Sequence, residues 1–337
     1  MAEPDPLALL FSPQRRTVPL LLAPMAGITD WPFRALARHY GADLTVSEMI
    51  ASQAMIRHTA RSLKMAAPSV VASDSSETDL LAVQIAGADP EVMAEAARMN
   101  VARGATLIDI NMGCPVKKIA KSNAGAALMR DERLAGRLMA AVVQAVAVPV
   151  TIKIRLGWDD RQRNGLTIAR IAEDSGIRAV TVHGRTRAQM YHGSADWQAI
   201  AEIKAGIAIP VIGNGDITSP QTARQMWQLS AVDGIMIGRG AIGRPWLFRE
   251  IAHYLQTGET LPPPPWQERK QIIQHHFSQI IAHHGPLLGN RLARKHLAWH
   301  THGLVGGARF REQVNRSPDA ASTEQLLTAF LAGVQEP

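Results

Sequence analysis

The chain has 337 residues, 46% of them hydrophobic, which is enough to bury a large core and excludes a chain disordered throughout. Its single cysteine, Cys114, excludes an internal disulfide framework and a cysteine-rich zinc site, and it points to a reducing compartment. The net charge of +7 fits a polyanionic partner without requiring one. Residues 1–6 carry acids rather than bases, and no uncharged apolar run approaches the ~18 residues that span a bilayer. Neither a secretory signal nor a membrane span is expected, and the chain is read as cytoplasmic.

Short leucine-rich or β-branched runs recur at 19–23, 44–47, 81–85, 107–110, 148–154, 179–182, 209–212 and 234–237. They are continuous rather than alternating, as in parallel strands covered on both faces. Helical stretches such as 90–103, 134–147 and 222–229 lie between them. Eight strand-then-helix units predict an α/β fold, a closed (β/α)8 TIM barrel over residues 19–255 after an N-terminal extension, 1–18. Four consecutive prolines, 262–265, make 256–265 a stiff linker. Beyond it Ile273, Phe277, Ile280 and Ile281 fall at helical spacing, so 266–337 is expected to be a small helical domain. This domain holds eight Lys and Arg against five acids.

Each predicted strand runs into polar or glycine-rich residues. Strand one ends in Ala23-Pro24-Met25-Ala26-Gly27, strand two in Ser47-Glu48, strand three at Gln84 and strand four at Asn111. Strand five carries Lys153 and Arg155, and strand six ends in His183-Gly184-Arg185. Strands seven and eight end in Asn214-Gly215-Asp216 and Gly238-Arg239-Gly240. In a barrel these ends converge on the face where active sites are built, with phosphate sites typical after the last two strands. The glycines there let backbone N–H groups approach an anion, and Arg239 adds a positive charge.

Gln84, Lys153 and His183 around one cavity suit a heterocycle with carbonyl and ring-nitrogen edges, such as an isoalloxazine. The lesser alternative for Lys153 is a structural ion pair with Glu48 or Asp109. Cys114 follows strand four on a loop shaped by Gly113 and Pro115, where a thiol acts as nucleophile or general acid; with no histidine beside it in sequence, proton donation is the simpler role. Lys117, Lys118 and Lys121 are either phosphate contacts or a solvated helix face. Arg291, Arg294 and Lys295 share one helical face in the tail, suited to a phosphate backbone or to solvent. The twelve histidines come with no dense set of carboxylates or thiols, and no metal site is expected.

The motifs Ala23-Pro24-Met25-Ala26-Gly27-Ile28-Thr29-Asp30, Gln84-Ile85-Ala86-Gly87, Asn111-Met112-Gly113-Cys114-Pro115 and Lys153-Ile154-Arg155 resemble those of the tRNA-dihydrouridine synthases. So do His183-Gly184-Arg185-Thr186, Gly213-Asn214-Gly215-Asp216-Ile217 and Gly238-Arg239-Gly240-Ala241, in the same order. Gly243-Arg244-Pro245-Trp246 and the tail 291–296 are similar to the bacterial B-type subfamily. The segment 66–79 is longer and more polar than the resemblance leads one to expect.

The resemblance implies FMN at the barrel's carboxyl-end face, bound by Pro24, Met25, Ala26, Gln84, Lys153, Asn214, Gly215, Asp216, Gly238 and Arg239, with His183 close by. It implies NADPH as reductant, tRNA as substrate and Cys114 as the catalytic acid. Hydride would pass to C6 of an extruded D-loop uridine while Cys114 protonates C5, and the B-type likeness suggests position 17. From their strand-end positions, Asn111 and Arg155 are expected to hold the uracil edge. The basic tail and Lys117, Lys118 and Lys121 would contact phosphates. A flavin barrel reducing a free pyrimidine would share the same mouth, but it would give the basic tail nothing to do. The chain is expected to act as a monomer.

Overall fold

The structure is a computed structural model that describes residues 5–15, 17–56, 81–120 and 122–334. The segment 66–79 and Lys121 lie outside the described residues, as do the side chains of Lys117 and Lys118.

Eight parallel strands form the barrel: β1 (Leu20–Leu22), β2 (Leu44–Thr45), β4 (Ala82–Ala86), β5 (Leu107–Met112), β6 (Val150–Arg155), β7 (Ala179–His183), β8 (Val211–Asn214) and β9 (Gly234–Ile237). Neighbours run in the order β2-β1-β9-β8-β7-β6-β5-β4. A parallel bridge from Val46 to Ala82 closes the ring, and the Ser47 N–H bonds the Ala82 carbonyl at 2.9 Å. The expectation from the eight apolar runs is met. An additional strand, β3 (Ile50–Ala51), pairs with the carboxyl end of β4 through Ile50↔Ile85 and Ala51↔Ala86. Two residues make no readable run, so the sequence did not predict it.

Strand alternation explains how these sequences make both a core and a site. Leu20, Leu22, Val83, Ile85, Ile108, Ile110, Ile152, Ile154, Val180 and Val182 belong to the large core shared with the surrounding helices. The alternate residues Leu21, Leu44, Ala82, Leu107, Ala179, Ile212 and Met236 pack together inside, with Leu7 and Leu10 of α1 (Pro6–Leu10). The N-terminal extension therefore supplies a plug for the barrel's amino end. Further along the same inward series come Gln84, Asp109, Asn111, Thr151, Lys153, Arg155, His183 and Asn214, and the lining turns from apolar to polar.

The helices start where carboxylates cap their free N–H groups. Asp30 caps α2 (Trp31–His39), Asp89 α4 (Pro90–Val101), Asp131 α6 (Glu132–Ala145) and Asp196 α8 (Trp197–Ala205). Between them lie α3 (Ser52–Ile56), α5 (Lys117–Ala120) and α7 (Gly165–Asp174). Ser219 and Thr222 form a capping box on α9 (Pro220–Ser230). α10 (Leu247–Thr257) ends at Gly258, whose φ of 81° suits glycine.

After 261–265, α11 (Trp266–His284), α12 (Pro286–His300), α13 (Gly307–Arg316) and α14 (Ala320–Gly333) pack on Trp266, Phe277, Ile280, Leu297, Phe310 and Leu327. The Trp266 indole N–H donates to the Val334 carbonyl at 3.0 Å. This bundle docks on α2 through Leu36, Tyr40, Trp246 and Ile272. The Tyr40 hydroxyl bonds Glu268 at 3.2 Å, and His284 bonds Asp30 at 2.8 Å.

Candidate active site

Three strands supply a chain of amides leading to Cys114. Asp109 on β5 is buried, and it accepts hydrogen bonds from Gln84 Nε2 and Thr151 Oγ1, each at 2.7 Å. Burial pushes its carboxyl up, against these donors and the nearby Lys153 charge. Because Gln84 Nε2 faces Asp109, its Oε1 faces Asn111 and accepts from Nδ2 at 2.7 Å. That turns Asn111 Oδ1 to the backbone N–H groups of Gly113 (3.1 Å) and Cys114 (2.9 Å). Each amide in the chain has one orientation that satisfies its neighbours.

Arg155 on β6 fixes the same turn from the other side. Its Nε donates to the Gly113 carbonyl at 2.8 Å, and Nη1 donates to the Thr186 and Met190 carbonyls at 2.9 and 2.8 Å. Burial lowers its pKa to about 10, so it remains a cation near neutral pH. Its guanidinium lies over the Tyr191 ring, 5.6 Å from the centroid. The Cys114 thiol is half-buried on this doubly held turn.

Lys153 points from β6 across the mouth, and its ammonium donates to Asn214 Oδ1 at 3.0 Å. Asn214 Nδ2 in turn donates to the Met236 carbonyl at 2.8 Å. Burial, assisted by the charge of Arg155 and opposed by Asp109, brings the Lys153 pKa down to about 8. His183 is buried beside Gly215, and its Nδ1 has no hydrogen-bond partner among the described residues. Burial and then the cations Lys153, Arg155, Arg185 and Arg239 push its pKa far below the ordinary value, so the imidazole is neutral. A buried ring nitrogen without a partner, an ammonium and an amide stand on one rim, polar groups that fit the carbonyl and ring-nitrogen edge of a flavin.

Strands β8 and β9 end in a cradle. Gly215 has φ 125°, and a Cβ there would lie 2.7 Å from Ala195 Cβ. Asp216 follows with φ 59°, rare outside glycine and asparagine. The buried Arg185 holds it with a two-pronged grip, Nη1 at 2.9 Å and Nη2 at 2.7 Å, and the Ala195 N–H adds a bond at 2.7 Å. Burial opposes the Asp216 charge, but these donors hold its carboxyl below the usual range. Arg239 stands 3.7 Å from Asp216 and 4.8 Å from the Tyr191 centroid, and it is 55% exposed, so its charge is open to solvent at the ends of β8 and β9. It opens a 3₁₀ turn, Arg239–Ala241, whose leading N–H groups lack intrahelical partners. Pro24, Met25 and Ala26 line the neighbouring β1 loop, where the Met25 N–H bonds Thr29 Oγ1 at 2.8 Å and Met25 Sδ lies near Gly238.

The tail residues separate. Lys295 on α12 reaches the barrel mouth, its ammonium 3.4 Å from the point a Cβ on Gly27 would occupy. Arg291 is exposed, whereas Arg294 donates to the Ser317 carbonyl at 2.8 Å and is tied into its own domain. Thr151 and Tyr191 had no assigned role in the sequence reading, and Asp109 and Arg185 gain one. Asp109 was legible in principle, lying two residues before Asn111 and hence on the same strand face; Tyr191 sits in a loop with no such period.

A sequence model of the family described as Dihydrouridine synthase (Dus) matches residues 21–335. The tRNA-dihydrouridine synthase B of Xanthomonas axonopodis pv. citri (strain 306) is 52% identical over 319 residues, 94% of each chain. That of Pseudomonas aeruginosa is 50% identical over 314 residues, 93% of this chain and 92% of the relative. Among solved structures, histamine dehydrogenase from Rhizobium sp. 4-9 superposes with a TM-score of 0.54 at 14% identity, over 81% of this chain and 51% of that one. A 2-naphthoyl-CoA reductase gives 0.53 at 12%, over 70% and 50%. This chain spans about half the length of those two, and at such identity the likeness establishes the barrel fold alone. The two high-identity relatives and the family match over almost the entire length lead to one conclusion: the chain belongs to the dihydrouridine synthase family, in its bacterial B-type branch.

Proposed function

We propose that this chain is a flavin-dependent tRNA-dihydrouridine synthase that reduces the C5–C6 double bond of a D-loop uridine, position 17, using bound FMN and NADPH. The observation that carries the reading is the placement of Cys114 on a turn gripped by Asn111 and Arg155, on the same rim as the Lys153–Asn214 pair. Gln84, Lys153, His183 and Asn214 would hold the ring of FMN. Gly215, Asp216, Gly238 and Arg239 would hold its phosphate end, with Pro24, Met25 and Ala26 beneath. When bound and reduced by NADPH, FMN would supply the hydride for C6 of uracil.

The chain's own residues do the rest. Cys114 Sγ holds the proton that goes to C5, and solvent restores it after turnover. Asn111 Oδ1 keeps the Cys114 backbone in place, and Arg155 secures Gly113 and would hold the uracil edge. The Lys153 ammonium stabilises negative charge next to it. An extruded base costs a few kcal/mol, least in an unstacked loop. Lys295 at the rim, Arg291 and the loop bearing Lys117 and Lys118 would meet tRNA phosphates. No described helix is long and apolar enough to cross a membrane. In this reading the chain acts on tRNA as a monomer in the cytoplasm.

The test is incubation of the purified protein with NADPH and unmodified tRNA, followed by mass spectrometry of nuclease fragments. Dihydrouridine at a D-loop position supports the reading. Reduction of free uridine but not of tRNA would replace it with a small-molecule flavin barrel.

A further inference from the structure

The junction between barrel and helical domain holds a cluster that the reaction does not use. Asp30, at the start of α2, lies against His276 of α11 and His296 of α12. One potential ligand atom from each stands within 4.8 Å of the other two. His276 and His296 are 1% and 2% exposed, and Asp30 is 7% exposed. Buried polar atoms are normally paired. Here Nε2 of His276 and Nε2 of His296 have no hydrogen-bond partner among the described residues.

The surroundings resemble the outer shell of a metal centre, where ligand imidazoles and carboxylates are steered by second partners. His276 Nδ1 lies 3.0 Å from His300 Nε2; when His276 donates, its Nε2 carries a bare lone pair. Asp30 Oδ2 is held by His284 Nε2 at 2.8 Å, and Oδ1 accepts the Phe33 N–H at 3.2 Å. The His276 and His296 rings meet edge to face, inclined at 70° with centroids 4.7 Å apart. Burial keeps both imidazoles neutral, and His284 helps to keep the Asp30 carboxyl below its usual range despite burial, so the three donors stand in ligand form.

We propose that Asp30, His276 and His296 bind one divalent transition-metal ion of the zinc class, through the carboxylate and the two Nε2 atoms, as a staple between barrel and helical domain. Two imidazoles and a carboxylate form a zinc-type ligand set, with bonds of about 2.0–2.2 Å. Tetrahedral ligand atoms then stand about 3.4 Å apart, so the set closes up by at most roughly 1.4 Å. The staple would fix the β1 loop to α12, where Lys295 adjoins His296 and reaches Gly27. It is independent of the flavin chemistry.

The full-length protein, stripped with chelator and dialysed, is titrated with Co(II) alone and then with Zn(II), with circular dichroism and thermal unfolding as controls. We expect a visible Co(II) ligand-field band at one equivalent per chain, displaced by Zn(II), and a higher Tm with Zn(II). Asp30→Asn keeps a helix cap, and it should weaken Co(II) binding at least tenfold without unfolding the chain. His276→Gln/His296→Gln should abolish the band, and His300→Phe should weaken binding about 10–100-fold by releasing His276. No band in the wild-type protein, or an equal band in His276→Gln/His296→Gln with the fold intact, would overturn the proposal.

Discussion

Asn111 and Gln84 share a 2.7 Å hydrogen bond that decides where Cys114 sits. Because Gln84 takes the Asn111 amide nitrogen, Asn111 offers its oxygen to the Cys114 N–H, 2.9 Å away. Gln84, which we propose touches the cofactor, thus also sets the backbone of Cys114, the proposed proton donor. Asn111→Asp keeps the acceptor but loses the Nδ2 donor and brings a charge beside Gln84 Oε1. We expect its turnover to fall at least tenfold with FMN content unchanged, as read by single-turnover flavin reoxidation. Loss of FMN with normal turnover per bound flavin would contradict this chain of positioning.

Cys114→Ala removes the proposed proton donor and leaves the turn's hydrogen bonds, which are made by its backbone. General-acid catalysis contributes about 10²–10⁴-fold, so turnover should drop by that order. Reduction of the flavin by NADPH should be unchanged in a stopped-flow measurement.

Lys153 carries a pH signature. Its pKa of about 8 lies below the ordinary value for lysine, so the ammonium is present below pH 8 and is lost above it. FMN affinity should therefore be flat at lower pH and fall as pH rises through about 8. Lys153→Met should bind weakly with no such break. Fluorescence titration with FMN across this range checks both.

Arg185 and Asp216 form the cradle's anchor. Arg185 is 2% exposed and also donates to the carbonyls of His192 at 3.0 Å and Gly193 at 2.5 Å. Arg185→Met leaves these acceptors unpaired and frees Asp216 from its strained backbone. A loss of about 3–5 kcal/mol is expected, with most FMN lost. Arg185→Lys should not rescue it, because an ammonium cannot reproduce the two-pronged grip. Thermal unfolding and flavin content read the outcome.

Two basic residues one position apart should behave differently. Lys295→Glu should weaken tRNA binding and lower the salt dependence by about one phosphate contact, leaving Tm nearly unchanged. Arg294→Glu should instead lower Tm, because it breaks the bond to Ser317 inside the helical domain. Binding isotherms at several salt concentrations separate the two.

The sequence disclosed the barrel because buried parallel strands leave uninterrupted apolar runs, and it disclosed the rim because polar residues end each run. It did not disclose the plug made by Leu7 and Leu10, since five residues of amphipathic helix leave no periodic trace. The division of labour between Arg291, Arg294 and Lys295 was hidden too: spacing puts them on one helix face, and only packing shows that Ser317 claims one and the barrel mouth receives another. The histidines at 276, 296 and 300 are far from Asp30 in sequence, and their convergence depends on how α11 and α12 dock on α2.

The central claim is that a flavin bound at this mouth passes electrons to tRNA with Cys114 supplying the proton. The most direct measurement is anaerobic: bleach the bound flavin with NADPH, add unmodified tRNA, and follow the return of flavin absorbance. We expect recovery with stoichiometric dihydrouridine in the wild-type protein, and recovery slowed about 10²–10⁴-fold in Cys114→Ala. A flavin that tRNA leaves bleached, or one that recovers equally fast without Cys114, would contradict the account.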